Sequence, residues 1–233
     1  MSAQTILSAS KQTRVLQSEA NRRLALRVAQ KAQTYGATVA LFSGTHAGLL
    51  GGHRVSDDVD FWVPNKHVAA VCEAFPGRIL RAHDRTIITV DDQHGKLELM
   101  GNMVIHTQDE FGHAAAFPFH MSRQAQRRTR PGEIDGWTVR YADPVDTIML
   151  KAILQRGIDD GKHDIRDIAA IAANANIDQS YLRLRIRETQ SIDRVGALLE
   201  DMGVLRSTRR LELPDFTSDF SSGFQGLRES LVG

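Results

Sequence analysis

Arg54-Val55-Ser56-Asp57-Asp58-Val59-Asp60-Phe61, read with Ser43-Gly44-Thr45 upstream, decides the fold. On a strand, residues i and i+2 point to the same face, so Asp58 and Asp60 project together while Val59 and Phe61 turn to a core. Two carboxylates side by side repel, and a cation between them relieves the repulsion. Hard oxygen ligands of this kind suit Mg²⁺, which also binds phosphate oxygens. Gly44 supplies a turn where backbone approaches a ligand closely, and N–H groups at the start of a helix suit a phosphate. Thr45 adds a hydroxyl donor. Twelve residues separate Thr45 from Asp58. The turn and the acidic strand together describe a metal–triphosphate site, although either alone is a common surface feature.

Working outward, the hydrophobic period changes several times. Lys11 to Tyr35 carries a helical stripe through Val15, Leu16, Leu24, Leu26 and Val28, with Gly36 as the stop. Thr38 to Phe42 reads as a buried strand, His46 to Leu50 as a short helix, and Pro64 to Phe75 as a helix with proline in its first turn. Strand patterns recur at Arg78–Arg81, Arg85–Val90, Lys96–Met100, Met103–His106 and Trp137–Tyr141. Asp91-Asp92-Gln93-His94-Gly95 reads as a hairpin loop. Residues 107–135 show no clear period. Asp143-Pro144-Val145-Asp146 is a helix start with a capping acid and proline at the first position. A second helix follows over His163–Ala173, and two more begin near Asp178 and Ser191. Little regular structure is expected in residues 1–10 or after Arg210. The expected fold is α/β (α+β): a mixed sheet in residues 1–142, including an N-terminal helix, followed by a helical bundle in 143–233.

The turn, the gap and Asp58-Val59-Asp60-Phe61 resemble the signature of the polymerase-beta-like nucleotidyltransferase superfamily, with Thr45 where Gly or Ser is usual. That resemblance implies a third carboxylate from a later strand. Glu98, in Lys96-Leu97-Glu98-Leu99-Met100, is the candidate; Asp91 and Asp92 look like turn residues. Over residues 40–172 the chain is similar to the AbiEii toxin family, which includes the MenT toxins. Arg54-x-Ser56-x-Asp58-x-Asp60-Phe61 matches its acidic run, and Lys151, Arg156 and Lys162-His163-Asp164-Ile165-Arg166-Asp167 match its later pattern. His163 stands where that family often has lysine. The resemblance implies Lys151 as a point charge on the triphosphate, Asp164 orienting it or touching the nucleotide, and Arg54 and Ser56 near phosphates. It also implies an Mg²⁺-dependent transfer of NMP from an NTP to the tRNA 3′ end, a cognate antitoxin as partner, and arrest of translation. Without it, Lys151 would be a surface lysine, and Asp164 and Asp167 a solvated helix face.

Composition sets the outer bounds. A net charge of +1 over 233 residues gives no global field toward nucleic acid, so any basic surface is local. Arg123, Arg127, Arg128 and Arg130 form such a stretch, either an RNA contact or a solvated loop. One cysteine, Cys72, excludes an internal disulfide and reads as a buried hydrophobe. His46 and His53 flank the glycine-rich turn as possible substrate contacts, and no histidine pair has zinc spacing. No apolar run is long enough to span a bilayer, and a cytoplasmic protein is expected. Two other functions remain open at this stage. One is transfer to a small molecule such as an aminoglycoside, or to a partner protein. The other is a non-catalytic binding protein.

Overall fold

The computed structural model describes residues 19–51, 58–72, 78–81, 87–92, 95–108, 112–134 and 136–206. Helix α1 (Glu19–Thr34) leads into strand β1 (Ala40–Leu41), helix α2 (Ser43–Leu49) and strand β2 (Asp58–Trp62). Helix α3 (Asn65–Cys72) precedes strands β3 (Arg78–Arg81), β4 (Ile87–Asp92) and β5 (Gly95–Met100). Strands β6 (Met103–Gln108) and β7 (Ala114–Phe119) form a separate two-stranded antiparallel sheet among the described residues. Helix α4 (Arg123–Arg128) and strands β8 (Arg130–Ile134) and β9 (Trp137–Tyr141) close the α/β part. Helices α5 (Pro144–Leu154), α6 (Asp164–Asn174), α7 (Gln179–Glu188) and α8 (Ile192–Asp201) follow. The expected class, a mixed sheet followed by helices, is the one observed.

The main sheet has the order β3-β4-β5-β2-β1-β9-β8. β2 runs parallel to β5 and β1 parallel to β9, while the other neighbours are antiparallel. Alternation along the strands sorts the side chains by face. Leu41, Val59, Phe61, Leu97, Leu99 and Val139 form one apolar layer with Leu24, Ala25 and Val28 of α1 and Val68 and Val71 of α3. Ala40, Trp62 and Met100 belong to the opposite layer, with Phe119 and the buried faces of α5 to α8. This second layer draws side chains from both sides of residue 142. Phe42 stacks on Trp62 with ring centroids 4.8 Å apart, and Trp62 meets Phe119 at 5.4 Å.

A buried polar network fastens the helices to that layer. Arg185 of α7 is fully buried, pairs with Asp146 of α5 at 2.8 Å and with Glu188, and lies over the Trp62 and Phe119 rings. Tyr181 donates its hydroxyl to Asp146 at 3.0 Å. Burial, against the opposing charge of Arg185, pushes the Asp146 carboxyl up to about 7.

Several local readings shift. Asp91 and Asp92 lie in β4, with Asp92 opposite Gly95. The loop is therefore tighter than the five residues expected, because the strand pattern continues through the acids. Residues 107–135 resolve into the end of β6, then β7, α4 and β8, each short and only partly buried, which removes the periodic signal. Ser43-Gly44-Thr45 is the first turn of α2, not a turn ahead of a helix starting at His46. Residues 1–10 and those beyond Arg210 lie outside the described residues, as do Val15, Leu16, His53, Arg54, Ser56 and Phe111.

Gly132 of β8 has a steric requirement. The Tyr141 ring crosses it so closely that a Cβ there would sit 1.8 Å from Cε2. Gly132→Ala should therefore displace a buried ring and cost about 1–3 kcal/mol of stability, read from urea unfolding. An unchanged midpoint would show that the ring does not hold this place.

Candidate active site

The parallel register of β2 with β5 builds the site. It sets Asp58 opposite Lys96 and Asp60 opposite Glu98. Asp58 and Asp60 share a face of β2, and Glu98 joins them from the neighbouring strand. One carboxylate oxygen from each of the three lies within 4.8 Å of the others. Asp60 is 4% exposed, and Asp58 and Glu98 are half-buried.

The first turn of α2 is locked onto this strand. The Gly44 amide donates to Asp60 Oδ2 at 3.0 Å. The Thr45 hydroxyl donates to the Asp58 carbonyl at 3.2 Å and accepts the Asp60 amide at 3.1 Å. Thr45 is fully buried, and its one donor is held by backbone. The expectation that Thr45 supplies a donor to phosphate is therefore corrected: it ties the turn to the acidic strand. Ser43, quoted in the sequence reading only as part of the turn, has φ +52°. A left-handed serine ahead of such a turn is the kind of strain that collects at functional sites. Only its place before Gly44 hinted at it.

Electrostatically the cluster is acidic. Burial, then the charges of Asp58 and Glu98, push the Asp60 carboxyl from 3.8 up to about 8, against the opposing pull of Lys151 and the Gly44 amide. Three converging carboxylates form a donor set that fits a divalent cation with a preference for oxygen.

Lys151 comes from α5 and is 1% exposed, so the surface-lysine reading does not hold. Its Nζ pairs with Asp164 at 3.1 Å and with Asp167 at 2.6 Å, both on α6. These two acids are buried too, and they face inward because α6 packs its first turn on α5. Arg156 reaches back to Asp164 from its backbone amide at 3.0 Å and from Nε at 2.9 Å. Burial pushes the Asp164 carboxyl up, but the Arg156 hydrogen bonds and the Lys151 charge outweigh it and hold it low.

His46 is buried and bonds Thr147 of α5 at 2.8 Å, so it is not an exposed substrate contact. Of the arginine stretch, Arg123 and Arg127 are exposed. Arg128 is not available: it bridges Asp143 and Asp178, each at 3.0 Å, with its guanidinium over the Tyr181 ring. Arg130 is 54% exposed and lies 3.7 Å from Asp143. Folding thus divides the four, because α4 turns Arg128 against the start of α5. No helix among the described residues is long and apolar enough to cross a membrane.

No family model and no curated protein matches the chain. Among solved structures it is similar to the antibiotic-resistance factor ANT(2'')-Ia in solution, at 14% identity over 91% of this chain and 99% of that one, with a TM-score of 0.48. The lincomycin-bound lincosamide antibiotic adenylyltransferase LnuA shares 13% identity over 66% of this chain and 97% of its own, with a TM-score of 0.44. An antigenic nucleotidyltransferase-like protein from Paracoccidioides brasiliensis shares 16% over 85% and 95%, with a TM-score of 0.40. At such identities and scores, the chemistry of this chain rests on its own residues.

Two measurements probe this geometry. Asp60 has a folded-state pKa above its unfolded one, so its contribution to stability is full below pH 3.8 and is lost as pH rises through about 8. In EDTA, the melting temperature of the natural protein should therefore fall relative to Asp60→Asn between pH 4 and 8, and Mg²⁺ should restore it at pH 8 only when Asp60 is present. A gap that does not vary with pH would remove the buried-acid account. Separately, Lys151→Met leaves Asp164 and Asp167 short of a buried counter-charge and should cost about 3–5 kcal/mol in chemical denaturation. A loss of under about 1 kcal/mol would place this lysine in the surface-pair class.

Proposed function

We propose that the chain is a divalent-metal-dependent nucleotidyltransferase that moves NMP from an NTP to an acceptor hydroxyl. The carrying observation is the convergence of Asp58, Asp60 and Glu98 beside the Ser43-Gly44-Thr45 turn. Asp58, Asp60 and Glu98 would hold the metal, with Mg²⁺ the expected ion. When bound, it would offset charge on the triphosphate and the departing pyrophosphate.

The chain's own residues do the remaining work by positioning and charge. The Gly44 amide fixes the Asp60 carboxylate, and the Thr45 hydroxyl keeps the turn against β2. The Ser43-Gly44 turn lies where a triphosphate would meet the carboxylates. Lys151 donates to Asp164 and pairs with Asp167, and in this reading its ammonium also serves a phosphate oxygen. Arg54 and Ser56, which precede β2, complete the phosphate contacts in this reading. Glu98 takes the proton of the acceptor hydroxyl. That oxygen bonds to the α-phosphorus, the bond from the α-phosphorus to the bridging oxygen breaks, and pyrophosphate leaves.

The acceptor in this reading is the 3′ end of tRNA, and the protein is a cytoplasmic toxin held in check by an antitoxin. Support comes from the run Arg54 to Phe61 together with Lys151 and Asp164, which resemble the AbiEii pattern. The exposed Arg123, Arg127 and Arg130 offer charge for a phosphate backbone.

Purified protein incubated with total tRNA, Mg²⁺ and each labelled NTP in turn should label tRNA with one nucleotide. Asp58→Ala and Asp60→Ala should lower that rate by about 10³-fold or more, since each removes a transition-state charge partner. Labelling that survives both substitutions would overturn the site. Label on an aminoglycoside in place of tRNA would keep the chemistry and replace the acceptor.

A further inference from the structure

Helix α2 is fastened on two sides. Toward β2, Gly44 and Thr45 bond Asp60 and the strand backbone. Toward α5, the next residue, His46, places Nδ1 2.8 Å from Thr147 Oγ1. Both partners are buried, at 2% and 0% exposure. Thr147 stands four residues before Lys151 on α5, so the two share a face one turn apart. The hydrogen bond therefore joins the helix whose first turn meets the carboxylates to the helix that carries the ammonium.

The bond has the properties of a fixed spacer. The imidazole stays neutral across the working range, because burial and then the charge of Arg130 hold it down at about 3. The imidazole lies 6.3 Å, centroid to centroid, from the Tyr141 ring at a tilt of 32°. A neutral bond in a dry setting is not weakened by salt or by proton exchange at ordinary pH.

From this juxtaposition we propose that His46 and Thr147 are positioning residues which set the gap between the Ser43-Gly44 turn and Lys151, and so set the affinity for the NTP triphosphate. The inference rests on the nucleotidyltransferase reading and deepens it. Neither residue touches the nucleotide; both act through the spacing of the groups that do. The distance matters because a point charge and a backbone turn must engage one triphosphate at once, and a displacement of one ångström is costly at such a site.

Binding calorimetry with ATP, GTP, CTP and UTP, each with Mg²⁺, tests this on the full chain. Thr147→Val keeps the volume and removes the hydroxyl. It should weaken the preferred nucleotide by about tenfold, since the imidazole loses its partner and the helices drift. Thr147→Ser, which keeps the hydroxyl, should bind within about twofold of the natural protein. Mn²⁺ binding without nucleotide, followed by electron paramagnetic resonance, should be the same in all three. His46→Leu provides a second route if Thr147→Val folds poorly, and His46→Leu with Thr147→Val should bind no worse than either alone. Unchanged nucleotide affinity in Thr147→Val or in folded His46→Leu would overturn the proposal, as would equal losses in the Val and Ser variants. If the natural protein binds Mn²⁺ but none of the four nucleotides, the nucleotidyltransferase reading itself fails and this inference falls with it.

Discussion

The repulsion among three carboxylates brought onto one sheet face is the constraint on which the rest of the structure depends. Asp60 is nearly buried, and Asp58 and Glu98 stand beside it. A buried anion with two anionic neighbours is expensive unless donors and cations surround it. The structure supplies the Gly44 amide and, at longer range, the Lys151 ammonium. Each comes from a helix, so the charge problem on β2 dictates where α2 and α5 must pack.

Those helices bring further charges of their own. Lys151 is buried and needs counter-ions, which Asp164 and Asp167 provide from α6. Asp164 in turn is shared with Arg156. Two cations and two anions then balance in a space where an unpaired charge would be destabilising. A separate balance holds on α5 and α7, where Asp146, Arg185, Tyr181 and Glu188 fix the helical half against the aromatic cluster of Phe42, Trp62 and Phe119. The two networks lie on one helix, α5, whose acid at position 146 faces α7 and whose lysine at 151 faces α6 and the site. This helix relates the apolar packing of the chain to its chemistry.

The sequence reading found the acidic strand because β periodicity fixes Asp58 and Asp60 on one face whatever surrounds them. It found the α5 start because Asp143 and Pro144 are local helix signals, and Asp143 indeed accepts from the Val145 amide. It placed Glu98 on a strand with apolar neighbours from periodicity, and beside Asp58 and Asp60 only through the family resemblance, since the pairing of β2 with β5 is nonlocal. It read Thr45 as a phosphate donor because the hydroxyl's real partners, the backbone groups of Asp58 and Asp60, are thirteen and fifteen residues away. Arg128 looked like its basic neighbours for the same reason: Asp143 and Asp178 reach it only in the folded chain.

By itself, then, the sequence determined the strongly periodic features: the strands and helices outside residues 107–135, which residues alternate toward a core, and that a pair of acids shares a strand face. These follow from backbone geometry within a few residues. Tertiary structure alone decided which charges meet. The parallel β2–β5 register made a pair of acids into a triad, the packing of α6 on α5 turned a lysine and two acids into a buried group, and the contact of α2 with α5 joined His46 to Thr147. Interactions between groups distant in the chain depend on burial and separation in space, and neither is written in local sequence.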